Sequence, residues 1–319
     1  MPRGNQIRLG TAVLATTVAL ALVCVLAGCS QSDTRVQAQT PVPFSITYIA
    51  SWGTKGTDPG QLEQPTDIAT DTLGNIYLAD AGSLYVDKFT WEGRPLLSFG
   101  EPGLKDPQAI TVDGGGAIYL TDVGRGSTFI FFPNGDRYHE VRLRTRPKSE
   151  DTLSVAVGED GLIHILDVDA GRVFTYTPSL RLLRDWQPGA NVPNLRVQPR
   201  AIAVGPDGFL YLVATPANRI LRFTNGGQFD SQIDARADGV DRRLSDQFAV
   251  GLGFIFVMDA DGRMLHVWTV DGRPKLDLDL APELGQGNRS APSLAVSERK
   301  ELLVLDRPVA RVLRYRLNF

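Results

Sequence analysis

Cysteine is nearly absent from this 319-residue chain: only Cys24 and Cys29 occur. No disulfide can staple the residues beyond them, so stability must come from a packed core. Histidine is scarce as well, limited to His139, His164 and His266. No stretch after residue 43 repeats its apolar residues at the three-to-four spacing of a helix, which excludes a helical solenoid. A G-x-S-x-G nucleophile turn and a phosphate-binding glycine loop are both missing. Nor is there the concentrated positive face that nucleic acid requires.

Acid is missing from the first 32 positions, which hold Arg3 and Arg8 and a mostly apolar run over residues 9–26. Leu26-Ala27-Gly28-Cys29 comes next. Charged start, apolar middle and small-residue end make a secretory signal, and the last four residues resemble the lipobox of bacterial lipoproteins. That resemblance implies diacylglyceryl attachment to the Cys29 thiol, cleavage before it and acylation of the new amino terminus. An apolar run of about 18–20 residues could also span a bilayer uncleaved, but Cys29 after two small residues selects the lipobox. Two or more acyl chains make such an anchor stable. Residues 1–28 are thus expected to be the signal, and 29–43 a lipidated cysteine with a polar, proline-containing tether, SQSDTRVQAQTPVP. Without Arg3 and Arg8, 31 basic face 36 acidic residues, a net charge of −5. The expected location is the bacterial cell envelope, facing the periplasm or exterior.

From residue 44 the chain repeats itself. DIATDTLGNIYLAD at 67–80 recurs as AITVDGGGAIYLTD at 109–122, SVAVGEDGLIHILD at 154–167 and AIAVGPDGFLYLVA at 201–214. QFAVGLGFIFVMD at 247–259 and SLAVSERKELLVLD at 293–306 complete the series, with starts 42 to 47 residues apart. A period of this size marks a repeat architecture. Each unit has room for four short runs rich in Ile, Val, Leu, Tyr and Phe, bounded by Gly, Asp and Asn as hairpins require. Four antiparallel strands per unit describe a propeller blade. The sixth unit ends at Phe319 one strand short, whereas FSITYIASWG at 44–53 is a strand without a unit and is similar to RPLLSFG at 94–100. The expected fold is all-β: a six-bladed propeller over 44–319, its last blade closed by the N-terminal strand.

The units resemble NHL repeats in Pro65, Pro107 and Pro199, in the strand-ending Asp80, Asp122, Asp167, Asp259 and Asp306, and in the third-strand pairs Arg172-Val173, Arg219-Ile220 and Arg311-Val312. The pattern departs at Ala214, where the aspartate is absent, and in the fifth unit, whose first turn is one residue shorter. The repeated aspartates read as turn caps, because a short carboxylate after a strand bonds to nearby backbone N–H groups. Separate blades hold them too far apart to share an ion.

Two enzymatic propeller families offer a comparison. Peptidyl-hydroxyglycine lyases hold zinc with histidines around the axis, yet His139, His164 and His266 fall in a fourth, a second and a third strand, so no metal site is expected. Gluconolactonase-like propellers bind calcium with inner-strand acids and asparagines. Here the inner-strand openings offer Gln64, Asp67, Gln108, Arg200, Asp246 and Gln247, too few hard oxygens for an ion that favours six to eight. These six residues are instead the candidate binding mouth. The loops 52–66, 188–200, 235–246 and 281–293 would form its face, since loops on a rigid scaffold carry specificity. The basic, alternating RYHEVRLRTRPK at 137–148 reads as a charged sheet edge. The reading is a monomeric lipoprotein without a cofactor that binds a protein, peptide or glycan; a hydrolase or lyase using the axial mouth is the alternative. Cys29→Ala is predicted to abolish labelling by a palmitate analogue and to release the protein from membranes; unchanged labelling would exclude the lipobox.

Overall fold

The computed structural model describes residues 43–142, 153–190, 192, 198–285 and 290–319. Cys29, the signal and the tether up to residue 42 lie outside them. The first strand, β1 (Ser45–Trp52), precedes five complete blades. These are β2 (Pro65–Thr70), β3 (Ile76–Asp80), β4 (Tyr85–Phe89) and β5 (Pro95–Phe99), then β6 (Pro107–Val112), β7 (Ile118–Asp122), β8 (Ser127–Phe131) and β9 (Arg137–Arg142). The third blade holds β10 (Leu153–Val157), β11 (Ile163–Asp167), β12 (Arg172–Tyr176) and β13 (Leu182–Trp186). The fourth holds β14 (Ala201–Val204), β15 (Leu210–Ala214), β16 (Arg219–Phe223) and β17 (Phe229–Asp234). The fifth holds β18 (Leu244–Gly251), β19 (Phe254–Asp259), β20 (Met264–Thr269) and β21 (Pro274–Asp279). β22 (Ser293–Ser297), β23 (Glu301–Asp306) and β24 (Arg311–Asn318) begin the sixth, and β1 completes it in the order β1-β24-β23-β22.

Six four-stranded antiparallel sheets therefore form the expected ring. β1 pairs with β24 from Ser45 opposite Asn318 to Trp52 opposite Val312, with a bulge between Tyr48 and Ala50. The bulge breaks the alternation of faces. Phe44, Ile46 and Trp52 are only half-buried, while Tyr48 is 43% exposed and stands edge-on to Tyr315. Trp52 has a second duty. It covers the turn of the first blade at Gly93, whose φ is +85° and where a Cβ would meet the indole at 2.4 Å. Phe99 covers Gly135 and Trp186 covers Gly227 in the same manner. Trp52 is thus the fourth-strand aromatic of the sixth blade, which explains why FSITYIASWG is similar to RPLLSFG.

The core is divided rather than central. Six apolar clusters occupy the six junctions between neighbouring blades; Ile68, Ile76, Leu78 and Phe89 of the first, for example, pack on Ala295, Leu303, Leu305 and Val312 of the sixth. Second strands lie between two junctions and are buried throughout, as in β3, β7, β11 and β15. Their runs are consequently almost continuously apolar instead of alternating.

The strand-ending aspartates cap turns, as expected, and also tie down the loop that enters the same blade. Asp80 accepts from the backbone N–H groups of Glu63 (2.7 Å), Gln64 (2.8 Å) and Gly82 (2.9 Å). Asp122 accepts from Lys105 at 2.7 Å, and Asp306 from Gly285 at 2.7 Å. In the fourth blade Ala214 replaces the acid, and buried Asn218 makes a different tie, accepting at 3.0 Å from the N–H of Leu244, which opens the fifth blade.

Removal of residues 30–43 should leave the thermal midpoint nearly unchanged. Removal of 30–53 should cost roughly 2–5 kcal/mol, because half-burial of Phe44, Ile46 and Trp52 contributes about half of the ~1.5–3 kcal/mol of a fully buried large apolar residue each, with the unpaired edge of β24 in addition. Equal midpoints for the two truncations would overturn the closure.

Candidate functional site: the polar mouth of the central channel

The innermost strands β2, β6, β10, β14, β18 and β22 enclose a channel of about 420 Å³. Its two ends differ because each inner strand runs from one to the other. At the far end the channel is lined by Val112, Val157, Val204, Val250 and Val296, at or next to the ends of their strands, with Thr70 in the first blade. At the near end, where inner strands begin, Thr66, Asp67, Gln108, Ser154, Arg200 and Asp246 form a polar mouth together with Gln247, Ser293 and Arg307.

Five of the six expected residues therefore come together. Gln64 does not: it is exposed and absent from the lining, its N–H held by Asp80 and its carbonyl accepting from Ala81 N–H at 3.0 Å. The pairing irregularity between Pro65 and Asp67 separates it from the regular part of β2, so it belongs to the entering loop. Thr66, Ser154, Ser293 and Arg307 are additions.

Asp67 is a stitch between blades. Its carboxylate accepts from Ile68 N–H (2.9 Å) in its own strand, from Ile110 N–H (2.8 Å) in the second blade and from the Ser293 hydroxyl in the sixth. Burial nevertheless pushes its carboxyl above the usual range, outweighing these donors and the more distant Arg307. Thr66 adds bonds to Ala79 O at 3.2 Å and Pro107 O at 3.0 Å, and Ser154 accepts from Ile202 N–H at 3.3 Å.

The cations are less committed. Arg200 is exposed, and its side chain has no ion pair or hydrogen bond among the described residues. Arg307 follows β23 and donates through Nη2 to Ala291 O, while its buried Nε has no partner among the described residues. Burial lowers its guanidinium below the ordinary value, opposed by Asp246 and then Asp67. Asp246 accepts from Gln247 Nε2 at 3.0 Å. Arg307 was discoverable in the repeats: Ala81, Val123, Val168, Thr215 and Ala260 hold its place in the other five units.

His139 lies in β9, His164 in β11 and His266 in β20, none of them on the channel. His164 is a buried strand residue, as its sequence position implied, with Nδ1 3.1 Å from Thr175 Oγ1. His266 Nδ1 lies 2.7 Å from Asp277, which also takes Arg242 in two places. Among the described residues no group of three or more His, Cys, Asp and Glu is placed to hold a metal ion.

No family model matches the chain, and no curated protein does. Solved structures do. A streptogramin B lyase structure aligns over 86% of this chain and 98% of its own, with a TM-score of 0.62 and 16% identity. A catalytically inactive histidine-to-alanine variant of virginiamycin B lyase from Staphylococcus aureus, with quinupristin, aligns over 86% and 100%, with a TM-score of 0.58 and 14% identity. The β-propeller domain of Myceliophteria thermophila Cps50 (Swd1) aligns over 85% and 99%, with a TM-score of 0.56 and 11% identity. At these identities the likeness is one of fold.

Asp67→Ala should cost roughly 3–5 kcal/mol in denaturant unfolding, since it strands buried donors in two other blades at about 1–3 kcal/mol each. The raised carboxyl fixes the pH dependence. The folded chain keeps this proton to higher pH than the unfolded chain, so its contribution is complete below the ordinary 3.8 and fades as pH rises through the raised value. Asp67→Asn should flatten that part of the midpoint's pH profile.

Proposed function

We propose that this protein is a lipoprotein of the bacterial envelope, anchored through Cys29, whose propeller captures a protein, peptide or glycan partner at the polar mouth. The observation that carries the reading is the pair of arginines there. Arg200 is exposed and unpaired among the described residues, and Arg307 is held by a single carbonyl. A planar guanidinium with five donors grips a carboxylate in two places. Asp67 is occupied by three donors, so the mouth has little acid left to ligate a cation but ample donors for an anionic group. Chain direction supports the arrangement too: β1 runs from the valine end at Ser45 to the mouth end at Trp52, so the first strand starts on the side away from the mouth.

A second reading, a lyase working in the same mouth, draws on the fold shared with the streptogramin B and virginiamycin B lyases. The latter is inactive in a histidine-to-alanine variant, whereas no histidine among the described residues reaches this channel. Capture is therefore preferred.

Arg200→Ala should weaken recovery of the partner from detergent-solubilised membranes by about tenfold to a hundredfold, the ~1.5–3 kcal/mol of a charged hydrogen bond, and leave the thermal midpoint unchanged. Chelator should alter neither. Undiminished capture by the variant would remove the mouth from the reading, and enzymatic consumption of quinupristin would favour the lyase.

A further inference from the structure

A second cavity, of about 310 Å³, opens between the third and fourth blades on the side opposite the mouth. Gly158, Glu159 and Asp160 of one hairpin turn, Val204 to Gly208 of the next, Asn225 and His164 line it. Its origin lies in one residue of the repeat. GEDGLIH at 158–164 and GPDGFLY at 205–211 have the same length and the same Gly-x-Asp-Gly turn, but one ends in His164 and the other in Tyr211. In the fourth blade the Tyr211 hydroxyl donates to Asp207 at 2.7 Å. Tyr77 and Tyr119, at the corresponding place in the first two blades, donate to Asp71 at 3.1 Å and Asp113 at 3.0 Å. A tyrosine hydroxyl on a turn aspartate is thus the rule in three blades.

The third blade lacks that hydroxyl. His164 is 1% exposed and turns Nδ1 to Thr175, while Nε2 finds no hydrogen-bond partner among the described residues. Asp160, the turn aspartate, accepts instead from Asn225 Nδ2 at 2.8 Å across the junction, and from its own turn at Leu162 N–H (3.0 Å). Because the His164 ring lines the cavity, a ligand there can supply that partner to Nε2. Burial also lowers the His164 pKa to about 4, so the ring is neutral at physiological pH. A neutral imidazole nitrogen wants either a donor or an acceptor, depending on its tautomer, and a hydroxyl is both. Val204 and Pro206 give the cavity an apolar wall, and Gly208 faces open space. Its volume lies at the lower edge of the ~300–1,000 Å³ of small-molecule pockets.

We propose that this cavity binds a phenolic ring, with the hydroxyl set between Asp160 and Nε2 of His164 as the Tyr211 hydroxyl is set on Asp207. The ring could be a free phenol or the tyrosine side chain of a peptide; the shared chemistry is the aromatic hydroxyl. This site is independent of the mouth and of the capture reading.

Titration of the folded protein with phenol and with N-acetyltyrosinamide, followed through the NMR signals of the His164 ring, tests it. At least one should saturate, with an affinity on the order of millimolar for so few contacts. Saturation by phenol alone assigns the site to a free ligand, and saturation by both assigns it to a tyrosine side chain as well. Asp160→Asn should weaken binding about tenfold. His164→Tyr should fill the cavity with its own phenol and abolish binding, read in that variant by calorimetry; should it fail to fold, Asp160→Asn decides. Arg200→Ala should bind as the wild type does. Failure of both ligands to saturate, equal binding of cyclohexanol, or undiminished binding by a folded His164→Tyr would overturn the proposal.

Discussion

The antiparallel ladder between Ser45–Trp52 and Arg311–Asn318 is the interaction on which the rest depends. Every other blade is built from consecutive hairpins and can form locally. The sixth alone needs two segments far apart in the chain, 273 positions for Ser45 and Asn318, so its closure carries the largest loop-entropy cost in the molecule. Once made, it places Trp52 over Gly93 and completes the junction between the sixth and first blades. Without it, β24 would present an open edge, and Asp67 would lose the fixed position of Ser293.

That stitch shapes the chemistry of the mouth. An aspartate at the axis of a propeller looks like a ligand for metal or substrate, but Asp67 spends its oxygens on three blades and its charge is disfavoured by burial. The reactive-looking acid is structural; the less conspicuous arginines are left available. Along the channel itself, the inner edges of the first strands carry backbone polar groups that must be met by water or by a polar ligand. A polar occupant suits such a wall better than a lipid chain.

Architecture was legible in the sequence because a propeller blade writes the same pattern repeatedly. The turn glycines, the buried second strands and the strand-ending aspartates all follow from local geometry. The orphan strand at 44–53 was legible for the same reason, through Trp52-Gly53 and Phe99-Gly100. The mouth was only partly so. Gln64 stands where an inner strand should open, yet its backbone is claimed by Asp80, and that bond is visible only in three dimensions. Arg307 stands in a connecting turn rather than an inner strand, and only comparison with Ala81, Val123, Val168, Thr215 and Ala260 would have exposed it. His164 was legible as a packed residue. The cavity beside it depends on Thr175 and on Asn225 from another blade, which no local pattern reports.

The direction of β1 has a mechanical consequence. Ser45 and Asn318 lie together at the valine end, and the strand runs from there toward the mouth. A load applied to the chain ahead of Ser45 and directed along the strand would act parallel to it, across all the ladder bonds at once, rather than peeling them one by one. Trp52 sits at the far end of that strand, wedged over Gly93, and would act as a stop against sliding. A seam that is the weakest point of the ring for assembly is thus placed in the geometry that best resists extraction.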